Sequence, residues 1–276
     1  SINYLGEGIK DFSKQYYYLW IASWQRLLPS YVIKSARIAI IGLHGSSEGI
    51  NSGRGRSPQN WSLILQKKFF YLSLFLVDEF IDSGKIIFTE KVNYFKSDTI
   101  KDSYKKIALA SSKMIIKFFS NPKKFIHNAK AQNDKKAEYL PQRKPEDGFI
   151  DWNIEQDLLI SFINALTKPY PCAFTKQRDH IIKIISIKKF SKEKITSISK
   201  ITHVFLDKTF LVQSKNGIIM VESWENNSNW SPKKNMKFKN ANYLKILNKI
   251  LKNHIRNYPK KKINFKLLKF VKDFNY

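Results

Sequence analysis

Residues 37–43, RIAIIGL, form an apolar run behind one arginine, end at His44, and open into a Gly/Ser-rich loop from Gly45 to Gly55. A strand that is apolar at successive positions has no polar face to show to water. That pattern fits a strand buried on both sides of a parallel sheet covered by helices. The chain is therefore expected to be an α/β protein. In open α/β sheets, ligands bind beyond the carboxyl ends of the strands, and His44 stands at such an end.

The rest of the chain can be divided around that strand. Residues 16–28 read as a strand followed by a short turn or helix, stopped by Pro29. Ser57-Pro58 is a helix start, with Ser as N-cap and Pro at the first helical position, and the helix should run to about Lys67. Residues 70–77 and 84–89 read as two further strands. Residues 99–119 have helical periodicity, with Tyr104, Ile107, Ala108 and Ile115 on one stripe. The polar stretch 121–144 is expected to be loop or linker. A helix over 155–166 is stopped by Lys168-Pro169, and short strands follow at 181–187, 203–206, 209–213 and 217–223, with a turn at Lys215-Asn216-Gly217. A basic helix over 241–255 comes last. The expected division is 1–138, a connecting segment 139–175, and a small β-rich domain with its helix over 176–276.

Lys and Arg number 49 against 22 Asp and Glu, a net charge of +27. Such a balance suits a polyanionic partner such as tRNA, a membrane surface or a phosphorylated substrate. The lysines are spread over the whole chain, and Ile, Asn and Phe are abundant too, so compositional drift explains the charge at least as well. Hydrophobic residues at 43% allow a sizeable core. The apolar runs are too short to span a bilayer, no signal-peptide pattern is present, and the single cysteine, Cys172, gives no internal disulfide framework. A cytoplasmic enzyme without membrane insertion is the expectation. The chain begins at Ser1 without a methionine, which suggests a fragment or an abbreviated fold.

Three motifs can carry chemistry. A histidine at a strand end can serve as acid, base or electrostatic stabiliser near neutral pH. Asp82, in the turn Ile81-Asp82-Ser83-Gly84, can orient a histidine and favour its charged form, although Asp and Gly are also ordinary turn residues. The segment GRGRSP at 53–58 can bring backbone close to a ligand, and its Arg54 and Arg56 can hold a carboxylate or phosphate or else tie down the loop. It matches neither the dinucleotide fingerprint nor the P-loop. No cluster has metal-ligand spacing.

Together these motifs resemble the formyltransferases that use 10-formyltetrahydrofolate, a family that includes methionyl-tRNA, glycinamide ribonucleotide and sugar N-formyltransferases. His44, Arg54-Gly55, Pro58 and Asp82-Ser83-Gly84-Lys85-Ile86 fall in the family's order. Two further stretches, YLPQRKPEDGFIDW at 139–152 and INALTKPYPCAF at 163–174, resemble its passage into a C-terminal domain. The resemblance covers roughly residues 16–225. It implies a Rossmann-like catalytic domain, abbreviated or missing at its N-terminal part, then a small β-rich, OB-like domain and the basic helix.

The resemblance further implies that His44 stabilises the oxyanion formed as an amine attacks the formyl carbon, and that Asp82 orients His44 and helps take the amine proton. The family's Asn two positions before the histidine is Gly42 here, and Asn60 is the candidate to supply the missing amide. The folate is expected against Ser23, Trp24 and Leu27 on one side and Asp78 and Ile81 on the other. Arg54, Arg56 and Ser46 are the candidates for the acceptor. A nucleotide-linked amino sugar or another small amine is the first expectation for that acceptor. Methionyl-tRNA is the alternative, which the charge favours, and an inactive basic binding module is the second. A homodimer is a further expectation.

Overall fold

The computed structural model describes residues 16–21 and 27–274. Its first half is an α/β layer. A four-stranded sheet has the order β1-β2-β4-β5, formed by β1 (Tyr16–Ile21), β2 (Ala36–Ser46), β4 (Phe69–Leu76) and β5 (Ile86–Asn93). Only β1 and β2 run parallel; β4 is antiparallel to both β2 and β5. The apolar run of β2 therefore lies in a mixed sheet, not a parallel one. It is buried from Ile40 to Gly42, where β4 joins it at Ile41↔Leu76, while Ile38 before that junction is 46% exposed.

Short helices α1 (Ser30–Lys34) and α2 (Pro58–Ile64) follow β1 and the Gly-rich loop. Helix α2 stops earlier than expected, and Ser57 precedes it in a left-handed conformation (φ 60°) without capping through its side chain. The long helix α3 (Ile100–Ser120) begins with a capping box in which Thr99 and Asp102 bond reciprocally. Its buried stripe is Ile100, Ser103, Met114 and Phe118, so the expected period holds but its phase is rotated: Ile107 packs against the core and Tyr104 stacks on Tyr170, while Ala108 is exposed. Ser103 can be buried because Tyr94 and Gln59 satisfy its hydroxyl.

The stretch expected to be a linker is ordered. It forms α4 (Pro122–His127), a 3-10 turn at Asp134–Lys136, and β6 (Tyr139–Leu140), which pairs in parallel with β3 (Arg54–Gly55). Helix α4 lacks a long apolar stripe but caps itself through Asn121 and packs Phe125 against Phe88. Its polar composition hides it in the sequence.

Helix α5 (Gln156–Leu166) leads into a five-stranded antiparallel sheet, order β7-β8-β11-β10-β9. Its strands are β7 (Ala173–Gln177), β8 (His180–Ser191), β9 (Ile201–Val204), β10 (Phe210–Ser214) and β11 (Gly217–Asn226). Helices α6 (Tyr243–Asn257) and α7 (Phe265–Asp273) complete the described chain. β7 and α7 are additions to the elements expected from the sequence. One apolar core runs through both halves, from Ile41 and Trp61 to Trp152, Phe162, Phe210 and Val271. Trp61 fixes the join: it is 1% exposed, and its indole N–H donates to the Pro141 carbonyl at 2.8 Å. Among the described residues, no helix is long and apolar enough to cross a membrane.

Candidate active site

His44 lies near the end of β2, where Ser46 is the last residue of the strand. Its Nε2 sits 2.8 Å from the Gly53 carbonyl oxygen, so Nε2 carries a proton and donates it there. Its Nδ1 lies 3.6 Å from Asp82 Oδ2, an ion-pairing distance rather than a full hydrogen bond. With Nε2 protonated, a neutral ring turns the Nδ1 lone pair toward a carboxylate. A proton on Nδ1, or an N–H group placed between the two, removes that repulsion. Both side chains are largely sheltered, at 12% and 20% exposure, which weakens solvent screening of the pair.

The Asp82 turn is built to hold its carboxylate in place. Asp82 adopts φ 50°, an uncommon conformation for a residue with a side chain. Gly84 is required two positions later, because a Cβ there would meet the Leu76 carbonyl oxygen at 1.6 Å. The turn is pinned by Gln132, whose amide donates to the carbonyls of Asp82 (2.8 Å) and Gly84 (2.7 Å). Gly55 N–H then donates to Asp82 Oδ2 at 2.9 Å. The loop after β2 thus contacts both members of the pair, through Gly53 to His44 and through Gly55 to Asp82.

The other sequence candidates are distributed differently. Asn60 is fully buried, and its amide nitrogen donates to the Ala165 carbonyl of α5. It cannot offer that amide to a formyl oxygen, so the expectation for Asn60 is corrected: it joins α2 to α5. Arg54 is 2% exposed and bonds Asp134 (2.6 Å), Gln132 (3.0 Å) and Asn51 (3.4 Å). It ties the loop to the 132–134 segment and is sealed from an acceptor. Ser46 is likewise 1% exposed and folds its hydroxyl onto the Gly49 carbonyl at 2.7 Å, inside the loop. Arg56 is exposed beside them. On the expected folate side, Asp78 Oδ1 accepts from Ser83 (2.6 Å) and from Phe80 N–H (3.1 Å), Ile81 is half-buried, and Leu27 is 57% exposed. Ser23 and Trp24 lie outside the described residues.

Gly42 is closed over. Phe75 is its direct partner across β2 and β4, and a Cβ at 42 would meet Val77 Cγ2 at 2.8 Å and Phe75 Cε1 at 2.9 Å. The place of a side chain is filled by these two neighbours.

Two groups near the site carry no signal in the sequence that marks them. Gln132 lies in the polar stretch expected to be linker, and nothing in its neighbourhood singles it out. Lys261, between α6 and α7, comes close enough for the Asp82 carboxylate to influence its ionisation, while burial pulls its pKa below the usual lysine value. The second motif block makes a separate cleft of about 200 Å³ lined by Arg143, Leu166, Tyr170 and Cys172 among others. Arg143 there is buried over the rings of Trp61 (5.0 Å) and Phe162 (5.5 Å) and donates to the Asp147 carbonyl. Burial raises the pKa of the Cys172 thiol.

An α/β layer with a sheltered His–Asp pair at a strand end is thus followed by an antiparallel β domain. Residues 12–119 match the formyl transferase family and residues 143–240 match the formyl transferase C-terminal domain. The chain belongs to the formyl transferase family. It is 32% identical over 174 residues to the bifunctional polymyxin resistance protein ArnA of Wigglesworthia glossinidia brevipalpis, covering 63% of this chain and 25% of that protein. It is 27% identical over 165 residues to the methionyl-tRNA formyltransferase of Thermodesulfovibrio yellowstonii, covering 60% of this chain and 52% of the relative. The chain thus spans between a quarter and about half of the length of these relatives. In fold it is similar to HypX from Aquifex aeolicus in complex with tetrahydrofolic acid (TM-score 0.58, 13% identity, 89% of this chain and 40% of that one). It is also similar to an N-formyltransferase from Helicobacter canadensis in complex with folinic acid and dTDP-3-aminofucose (TM-score 0.51, 15% identity, 73% and 72%).

Proposed function

We propose that the chain transfers a formyl group from 10-formyltetrahydrofolate to a primary amine, with a nucleotide-linked amino sugar as acceptor. The single observation that carries this reading is the sheltered His44–Asp82 pair held by one loop. The amine nitrogen attacks the formyl carbon, a C–N bond forms, and the carbonyl electron pair moves to oxygen. The proton of His44 Nε2 is available to that oxygen once it leaves the Gly53 carbonyl. Such a donor is worth ~2.7–4 kcal/mol in comparable sites. Asp82 accepts a proton from the attacking amine, directly or through His44 Nδ1, and the bond to folate N10 then breaks with return of a proton to that nitrogen.

Positioning supplies much of the rest. Leu27 and Phe80 are exposed apolar side chains on the two segments read as the folate side, which suits a flat heterocycle. The amino-sugar reading draws on the Gly-Arg-Gly-Arg-Ser-Pro loop and the Ile-Gly-Leu-His strand end, and on the likeness to a fold solved with dTDP-3-aminofucose. Methionyl-tRNA is the second reading. The charge of +27 favours it, and so does the relative that carries that name.

The test is transfer to a panel of dTDP- and UDP-linked amino sugars and to charged initiator tRNA. His44→Ala and Asp82→Asn should each lower turnover by about a hundredfold or more while leaving the fold intact. Near-normal transfer by either variant overturns the assignment. Salt-sensitive formylation of tRNA, with none of the sugars accepted, selects the second reading.

A further inference from the structure

Residues 258–264 lie outside both stretches matched to the family, yet they are stitched to the loop that holds His44 and Asp82. Tyr139 N–H donates to the Lys262 carbonyl at 2.8 Å, and Asn264 N–H donates back to the Tyr139 carbonyl at 3.0 Å. Tyr139 in turn pairs with Arg54 across β6 and β3. Asn264 is 2% exposed, and its side-chain amide donates to the Ser52 carbonyl at 2.5 Å and to Glu138 Oε2 at 3.3 Å. On the other side, His254 Nε2 donates to the Lys261 carbonyl at 3.0 Å. The backbone around Lys261 is thereby fixed against the site's own loop.

The Lys261 side chain is held as well. Its ammonium lies 4.5 Å from the centre of the Tyr258 ring and 5.5 Å from that of Tyr139. The rings orient the stem without consuming its N–H donors. The residue is half-buried, and among the described residues it has no ion-pair partner; the nearby Glu138 instead pairs with Lys262 at 3.7 Å. Asp82 acts on this ammonium without making an ion pair with it, so a partly desolvated cation keeps its donors free and gains when an anion comes into contact. Of the two arginines expected to supply positive charge on this face, Arg54 is sealed inside the loop and Arg56 is exposed.

We propose that Lys261 is a binding residue for the anionic part of the acceptor, and that a phosphate of the nucleotide-linked amino sugar sits against its ammonium on the β3–β6 side of the His44–Asp82 pair. This rests on the acceptor reading above. The acceptor is chosen over the folate because Lys261 is mounted on the segment bonded to Tyr139 of β6, the strand that pairs with residues 54–55, whereas the folate side is read at Leu27 and at the 78–82 turn.

The test uses the full chain, with Lys261→Met to keep the apolar stem and Lys261→Arg to restore the charge. Thermal melting checks that both fold. The probes in calorimetry are dTDP, UDP and a folate analogue. The expected result is roughly tenfold weaker binding of the nucleoside diphosphate by the Met variant, recovery by the Arg variant, and unchanged folate-analogue binding. Equal nucleoside diphosphate binding by wild type and the Met variant overturns the role of Lys261 while leaving the acceptor reading standing. Weakened binding of the folate analogue instead also overturns it, because it moves the contact to the donor. A wild-type chain that binds the folate analogue but neither nucleotide sinks the sugar reading. In that case a tRNA-retention assay decides: loss of retention in the Met variant preserves Lys261 as a phosphate contact, and equal retention removes it.

Discussion

Gly42 offers a test of how tightly the sheet is packed behind the site. A Cβ at that position would stand 2.8 Å from Val77 Cγ2 and 2.9 Å from Phe75 Cε1, well inside ordinary carbon contact. Phe75 is 5% exposed, so its ring cannot swing away into water. Gly42→Ala should therefore behave as an overpacking substitution and cost about 1–3 kcal/mol. Gly42→Asn adds a buried amide with no provided partner, at a further cost of about 1–3 kcal/mol. Urea denaturation of both variants measures this through the midpoint at constant slope. The cause is isolated by Phe75→Leu: the shorter side chain should be destabilising in the wild type and much less so in the Gly42→Ala background, giving a favourable coupling in the double-mutant cycle. A Gly42→Ala midpoint equal to wild type refutes the packing argument, as does a Phe75→Leu cost that is the same in both backgrounds. Gly42→Asn should also fail to raise turnover, since Phe75 and Val77 already fill the space its side chain needs.

Arg54→Met should destabilise the chain by about 0.5–1.5 kcal/mol, because half-buried Gln132 loses its donor while exposed Asp134 is rehydrated. It should also lower transfer through the loosened loop, and unchanged stability in a melt would show that the guanidinium is not the tie. Asn264→Ala removes the α7 cap and the bond to Ser52, and an amide-exchange measurement should find faster opening at 265–268, with a cap loss of about 1 kcal/mol. His254 is buried, and desolvation holds its pKa below the usual histidine value. The unfolded chain therefore binds the proton first, and stability should fall as pH drops below about 6.5. His254→Gln should flatten that slope, and an unaltered slope between about pH 7 and pH 5 would exclude the residue as its source.

The parts of the fold that are legible in the sequence are those whose pattern is local. The β2 run, the Ser57-Pro58 start, the 155–166 helix and the Asn216-Gly217 turn each declare themselves within a few residues. The expectation of a parallel sheet fails because an apolar strand reads the same in either direction, and direction is set by which strand arrives beside it. Helix α3 has the expected period and a different phase, since its buried stripe admits Ser103, a residue that only its partners Tyr94 and Gln59 make fit for burial. Helix α4 and the Gln132 segment are hidden by polar composition. Asn60, Arg54 and Ser46 have side chains suited to ligands, but each is drawn inward by a carbonyl or carboxylate from a distant part of the chain or its own loop. Sequence alone cannot count those acceptors.

His44 and Asp82 stand 38 positions apart, and their meeting depends on neither local sequence by itself. The loop between them makes the connection: the Gly53 carbonyl accepts a hydrogen bond from the imidazole, and Gly55 N–H gives one to the carboxylate. That loop is held in turn by Arg54 to the 132–134 segment, by β6 through Tyr139, and by Asn264 through Ser52. In the proposed transfer, the Gly53 carbonyl is the competitor that the formyl oxygen must displace to reach the Nε2 proton. With the space beside Gly42 filled, no side-chain amide at 42 shares the task. On that proposal the position of one carbonyl governs how much of the His44 donor is available to the substrate, and the ties on the loop set that position. The C-terminal segment, remote in sequence and outside the family's matched stretches, is one of those ties. Changes there should alter turnover without touching any reacting atom.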